Sequence, residues 1–139
     1  MQLNQATDYA FRAVLYLANN TSQEIIPAQT IADAEEIPMR FLLKIMRSLI
    51  QNGIVKSYRG IEGGYALAKL PEEITLLDVV QAVEGPVHLN RCLIDPKYCS
   101  KNGADTCAIH EALENIEKNL VSGLRNRNFA ELVGKTQNN

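Results

Sequence analysis

The residues of this chain best suited to chemistry stand in one stretch. Its three cysteines, Cys92, Cys99 and Cys107, follow the pattern Cys-x6-Cys-x7-Cys, and His110 comes three residues after the last of them. Thiolates and an imidazole are ligands for zinc or for an iron–sulfur cluster, and four of them satisfy either. The loose spacing differs from the tight pairs of zinc ribbons and suits a loop wrapped round a group larger than one ion. An odd number of cysteines leaves one thiol over in any disulfide framework. The Cys107-to-His110 step is one helical turn, which places both side chains on one face of a helix beginning at Cys107. The same two residues could form a thiolate–imidazole nucleophile, but no oxyanion hole or substrate pocket stands near them, so no enzyme activity is expected. His88 is isolated, and Asp78 and Glu84 read as ordinary surface charges.

A second group of functional residues lies upstream. Between Ile37 and Ile61 the ionisable residues are Arg40, Lys44, Arg47, Lys56 and Arg59, with no acid among them. Arg40, Lys44 and Arg47 fall at i, i+4 and i+7, one basic stripe on a helix. Arg59-Gly60-Ile61-Glu62-Gly63-Gly64-Tyr65 then reads as a glycine-rich turn. Glycine permits a tight tip and close backbone approach. The turn lacks the Lys-Ser/Thr ending and the strand–loop–helix setting of a phosphate-binding loop.

The elements that must position these residues follow from periodicity and punctuation. Apolar residues at helical spacing predict a helix over 7–19, capped by Thr7 and with Asp8 in its first turn. Pro27 opens a short helix to Glu35, and Pro38 opens a third to about Gln51. Phe41/Leu42, Ile45/Met46 and Leu49 form the apolar stripe of that third helix, and Asn52-Gly53 ends it. Ile54–Tyr58 and Tyr65–Leu67 read as a hairpin. Thr75 caps a helix over 76–83. An irregular loop fills 86–106. From Cys107 a long helix carries Ile109, Leu113, Ile116 and Leu120 with no local partner.

Helix, tight turn, basic helix and hairpin is the order of a winged helix-turn-helix. The third helix would enter the major groove of DNA, and Arg59 at the wing tip would reach the minor groove or phosphate. The expected fold class is mainly α with a small β-hairpin wing. The net charge of −2 hides an asymmetry: Glu72 to Glu117 holds nine acids against Arg91, Lys97 and Lys101. One basic working face suits such a chain. No apolar run is long enough to span a membrane, and residues 1–5 lack the marks of a signal peptide. A cytoplasmic protein with reduced thiols is expected.

These motifs together resemble the bacterial winged-helix iron–sulfur transcription regulators of the IscR and NsrR type. The likeness runs from about Met1 to Phe129. It is carried by Asp8-Tyr9-Ala10, Ile31-Ala32, the Phe41–Leu49 helix, Asn52-Gly53-Ile54-Val55, Arg59-Gly60 with Gly63-Gly64-Tyr65, and the cysteine trio. The resemblance implies a homodimer on a palindromic double-stranded DNA operator, usually as a repressor. It implies DNA contacts from Met39, Arg40, Phe41, Leu43, Lys44, Arg47, Arg59 and Gly60. Leu43 and Lys44 stand where that family pattern leads us to expect a polar pair. The resemblance further implies that Cys92, Cys99 and Cys107 ligate an iron–sulfur cluster, 2Fe–2S favoured and 4Fe–4S the alternative. His110 matches the fourth ligand of IscR-like members; Asp8 of the partner subunit matches that of NsrR-like members. The implied layout is a DNA-binding domain over 1–85, a cluster loop over 86–106, a dimerisation helix over 107–129 and a flexible tail over 130–139. A zinc-stabilised protein and a metal-free thiol switch are the competing readings.

Overall fold

A computed structural model describes residues 2–135. The chain opens with α1 (Gln5–Asn19), α2 (Ala28–Glu35) and α3 (Met39–Gln51), followed by an antiparallel hairpin of β1 (Val55–Tyr58) and β2 (Gly64–Leu67). Then come α4 (Leu76–Glu84), α5 (Arg91–Ile94), α6 (Ala108–Arg125) and α7 (Phe129–Leu132). The fold is the expected one, mainly helical with a two-stranded wing.

Helix α1 starts earlier than its apolar pattern indicates. Asn4, not Thr7, is the N-cap: its side chain accepts the Thr7 amide at 2.9 Å. Thr7 lies inside the helix, fully buried, and its hydroxyl hydrogen-bonds the Glu84 carboxylate at the far end of α4. That bond ties the start of α1 to the end of α4. Pro27 and Pro38 occupy the cap positions of α2 and α3 rather than their first helical turns. Between those helices Glu36 adopts a left-handed conformation, φ 53°, and its amide closes on Ala32.

One apolar core holds the head together. Ala10, Ala13, Val14 and Leu17 of α1 meet Ile31 of α2 and Leu42, Ile45, Met46 and Leu49 of α3. Burying large side chains of this kind contributes about 1.5–3 kcal/mol each. The same stripe that closes the core leaves the opposite side of α3 facing outward, which is how the basic stripe becomes exposed.

The hairpin pairs Val55 with Leu67 and Tyr58 with Gly64. It is not free-standing, because Ile26 and Tyr65 exchange backbone bonds at 2.8 and 2.9 Å. At Gly64 the backbones come so close that a Cβ would lie 2.2 Å from the Ile26 carbonyl oxygen. Thr75 caps α4 as expected, in a reciprocal box with Asp78.

The C-terminal third departs from expectation in two places. The span 86–106 is a string of short turns: α5, then 3₁₀ turns at Pro96–Tyr98 and Ala104–Thr106. Asn90 caps the first through the Arg91 amide, and Asp95 caps the second through the Lys97 amide. The span 107–129 is not one helix. Helix α6 stops at Arg125, and Asn128 starts a new helix by exchanging hydrogen bonds with Glu131. The chain thereby returns to the head: Leu76 donates to the Arg127 carbonyl, Phe129 donates to the Ile74 carbonyl, and the Phe129 ring enters the core at 1% exposure. The expected flexible tail from residue 130 is therefore corrected for its first residues, since Ala130–Leu132 are helical. Residues 136–139 of that tail lie outside the described residues. Among the described residues no helix is long and apolar enough to cross a membrane.

Candidate nucleic-acid interface and metal centre

The outward side of α3 carries Arg40, Phe41, Leu43, Lys44 and Arg47, all exposed, with Met39 half-buried at its first turn. Arg59 and Gly60 stand exposed at the hairpin end, and Gly60 takes φ +106°, which a side chain would resist. Helix α3 packs against β1 of the wing. Burial pushes the Tyr65 hydroxyl of β2 above its ordinary range, and the Arg47 charge acts the other way. Lys56 and Tyr58 are exposed on the strand face opposite Tyr65, where they line a groove with Leu17, Ile26 and Leu70, and the Lys56 Nζ lies 5.7 Å from the Tyr58 ring centre.

The cysteine segment brings one donor pair together. Cys92 is on α5 and His110 in the first turn of α6, and the His110 Nδ1 lies 3.1 Å from the Cys92 Sγ. The residue expected to share a helical face with His110 is Cys107. Cys107 precedes α6 as its cap residue with extended backbone, φ −84° and ψ 118°, and borders the same surface hollow as His110. Cys92, Cys99 and Cys107 are free and half-buried. Among the described residues no three potential ligands are gathered at one point.

Cys99 has a distinctive setting. Backbone amides hold its thiol below the ordinary range, Gly103 first and Lys101 next, with a smaller opposing push from desolvation. The left-handed Asn102, φ 52°, shapes that turn. Amides aimed at sulfur favour its charged, ligating form. The donor chemistry therefore fits a thiolate-bound metal group: three free thiols, one already beside an imidazole and one facing amides.

Asp8 is engaged within its own subunit, its Oδ2 lying 2.6 Å from the Arg12 Nη2. The cysteine segment is joined to the long helix through Glu117, whose carboxylate accepts the Leu89 amide at 2.9 Å and lies 3.4 Å from the His88 Nδ1. Along α6, Ile109, Ile116 and Leu120 are 68%, 54% and 39% exposed, an apolar row open on the surface of the described residues.

Comparison with known proteins agrees with this architecture. Residues 3–135 match the Rrf2 family model, described as iron-dependent transcriptional regulator. The regulator NsrR of Shouchella clausii is 34% identical, with 81% of this chain and 78% of that protein aligned. The regulator IscR of Klebsiella pneumoniae is 31% identical over 99% of this chain and 82% of that protein. Among solved structures, CymR, the global cysteine regulator of B. subtilis, superposes with a TM-score of 0.80 at 24% identity, covering 99% of each chain. IscR of T. potens superposes with a TM-score of 0.75 at 21% identity, covering 95% of this chain and 85% of that one. The named relatives are transcriptional regulators and not enzymes. The chain belongs to the Rrf2 family of transcriptional regulators.

Proposed function

We propose that this chain is a cytoplasmic, homodimeric regulator, working as a repressor, whose grip on a palindromic operator is set by an iron–sulfur cluster. The cluster would be held by Cys92, Cys99, Cys107 and His110. The observation that carries this reading is the His110–Cys92 contact, which supports a local fourth ligand, whereas Asp8 pairs with Arg12 of its own helix. A mixed set of three thiolates and one imidazole favours 2Fe–2S over 4Fe–4S. When bound, such a cluster exchanges electrons and reacts with oxygen or nitric oxide, which makes it a sensor of redox state, nitric oxide or iron–sulfur supply. The protein's own residues do the rest. Met39, Arg40, Phe41, Leu43, Lys44 and Arg47 face the major groove, and Arg59 with Gly60 reaches the minor groove. The exposed row on α6 joins two subunits. Two heads must then meet half-sites about 34–36 Å apart, so a small change in head spacing costs affinity steeply.

Anaerobic purification with iron and sulfide analysis tests the reading. Wild-type protein should be coloured, carry both elements, and bind duplex taken from upstream of its own gene. His110→Ala should change the visible spectrum, and Asp8→Ala should leave it as it was. Colourless protein holding zinc, or iron-free protein that ignores the duplex, overturns the proposal. The Cys99 amides support a second reading, a metal-free thiol switch. A single specific disulfide formed on mild oxidation of iron-free protein, with loss of duplex binding, would favour it.

A further inference from the structure

A line of side chains runs from α1 to the first turn of α3. The Asp8 carboxylate holds Arg12 at 2.6 Å, and the Arg12 guanidinium lies 5.3 Å from the centre of the Tyr9 ring. The Tyr9 ring stands 6.1 Å from the Phe41 ring at a tilt of 35°. The Arg40 guanidinium lies 4.8 Å from the Phe41 centre. Arg12 is held a second time, its Nη1 donating to the Glu35 carbonyl at 3.1 Å. The inner end of the line is therefore fixed by two helices, and Tyr9 is almost wholly buried.

The outer end is different. Phe41 is 39% exposed, and the core beneath it is filled by Leu42, Ile45 and Met46. An open aromatic ring on the outward turn of α3 is not needed to close that core. What the ring touches is a cation on the same surface. An arginine on a flexible stem samples many rotamers, whereas one resting near an aromatic ring has fewer to lose on docking. A guanidinium reads a guanine edge or a phosphate with two parallel hydrogen bonds, so its orientation decides whether both form.

Building on the proposed DNA-binding function, we propose that Tyr9 and Phe41 are positioning residues for operator recognition. They form an aromatic brace, anchored by the Asp8–Arg12 pair, that presents Arg40 in its reading geometry. In this role Asp8 serves the reading surface of its own subunit.

Full-length dimer is titrated with duplex from upstream of its own gene and with a scrambled duplex at one fixed salt concentration, since salt alone moves both affinities. Arg40→Ala and Phe41→Leu should each weaken operator binding about tenfold, the value of one well-made base contact. Scrambled-duplex affinity and melting temperature should hold for Phe41→Leu. The double variant should bind no worse than Arg40→Ala alone, because both changes remove one contact. Tyr9→Phe, which keeps the ring, should bind as wild type. Phe41→Leu binding like wild type, or additive losses in the double variant, overturns the brace while leaving the DNA-binding function intact. Wild-type protein that fails to prefer the operator over the scrambled duplex overturns both.

Discussion

In the head, each of α1 to α4 contributes to one core, and the glycine turn that carries Arg59 is tied through Tyr65 to Ile26. In the cysteine segment from Arg91 to Cys107, Ala104 alone of the described residues is buried, and each short turn is held by a neighbour such as Asn90 or Asp95. The two regions therefore hold their functional side chains by different means. The head sets the directions of Arg40, Lys44 and Arg47 through packing that is costly to disturb. The cysteine segment holds Cys99 and Cys107 through local hydrogen bonds, which open at little cost. A reading surface must keep its shape before DNA arrives. A segment that gathers ligands around a bound group gains from being able to move.

The sharpest test of this contrast is deletion of one large side chain in each region. Phe129→Ala removes a ring from the head core and should cost about 3–5 kcal/mol of unfolding free energy. Leu93→Ala, at a half-buried position in α5, should cost under about 1 kcal/mol. Denaturant midpoints compare them directly. Equal losses would mean that the cysteine segment is packed as firmly as the head.

Glycines give the next largest difference. At Gly64 an added methyl meets the Ile26 carbonyl oxygen at 2.2 Å, so Gly64→Ala must open the bridge that anchors the wing. A loss of about 2 kcal/mol and weakened operator binding are expected. At Gly103 the nearest atom to an added Cβ is the Lys101 oxygen at 4.0 Å. Gly103→Ala keeps the amide that faces Cys99, and stability should move by no more than about 0.5 kcal/mol. Thermal melts and duplex titration of the two variants check both halves of the statement.

The same contrast explains which features were legible in the sequence. Helical periodicity located α1 to α4, because each buries one face against a shared core and so must repeat its apolar residues. Arg40, Lys44, Arg47 and Arg59 were readable as a surface by exclusion, since the stripe beside them had to be inside. The cysteine segment has no core to impose a period, so its three turns carried no pattern to read. The Cys92–His110 contact joins residues eighteen apart through a fold that local spacing does not encode. Local spacing points instead to Cys107, which borders the same surface hollow as His110 from its place just before the helix. The return of the chain at Phe129 was hidden for another reason. Asn126-Arg127-Asn128 is polar enough to read as the fraying end of a helix, and only the Asn128–Glu131 box and the burial of one ring reveal a second start.

Helix caps offer a smaller comparison of the same kind. Thr75 begins the nine-residue α4 in a reciprocal box with Asp78, so Thr75→Ala should cost about 1 kcal/mol. Asn90 caps only the four-residue α5 through the neighbouring amide. Asn90→Ala should leave the global midpoint in place and show as faster amide exchange confined to residues 91–95. A shifted midpoint in the second variant would show that α5 unfolds together with the head.

The smallest expected effect tests whether the head is optimised throughout. Glu35 ends α2, and burial raises its carboxyl above the ordinary value, with the Arg12 charge pulling less strongly the other way. A raised carboxyl means that the folded state binds the proton more tightly than the unfolded chain does. The ionised group then costs stability above the folded value, and that cost fades as pH falls toward the ordinary value of 4.5. A carboxylate at a helix C-terminus also meets the negative end of the helix dipole, which acts in the same direction. Glu35→Gln should therefore raise the melting temperature slightly at pH 7 and leave it unchanged below the ordinary carboxyl value. Arg12 takes the backbone carbonyl of Glu35, not its side chain, so the brace beneath Arg40 stays anchored and operator affinity should hold. A loss of stability at pH 7 would mean that the Glu35 carboxylate helps to hold Arg12, making the helix pair that anchors the reading surface an ionic joint as well as an apolar one.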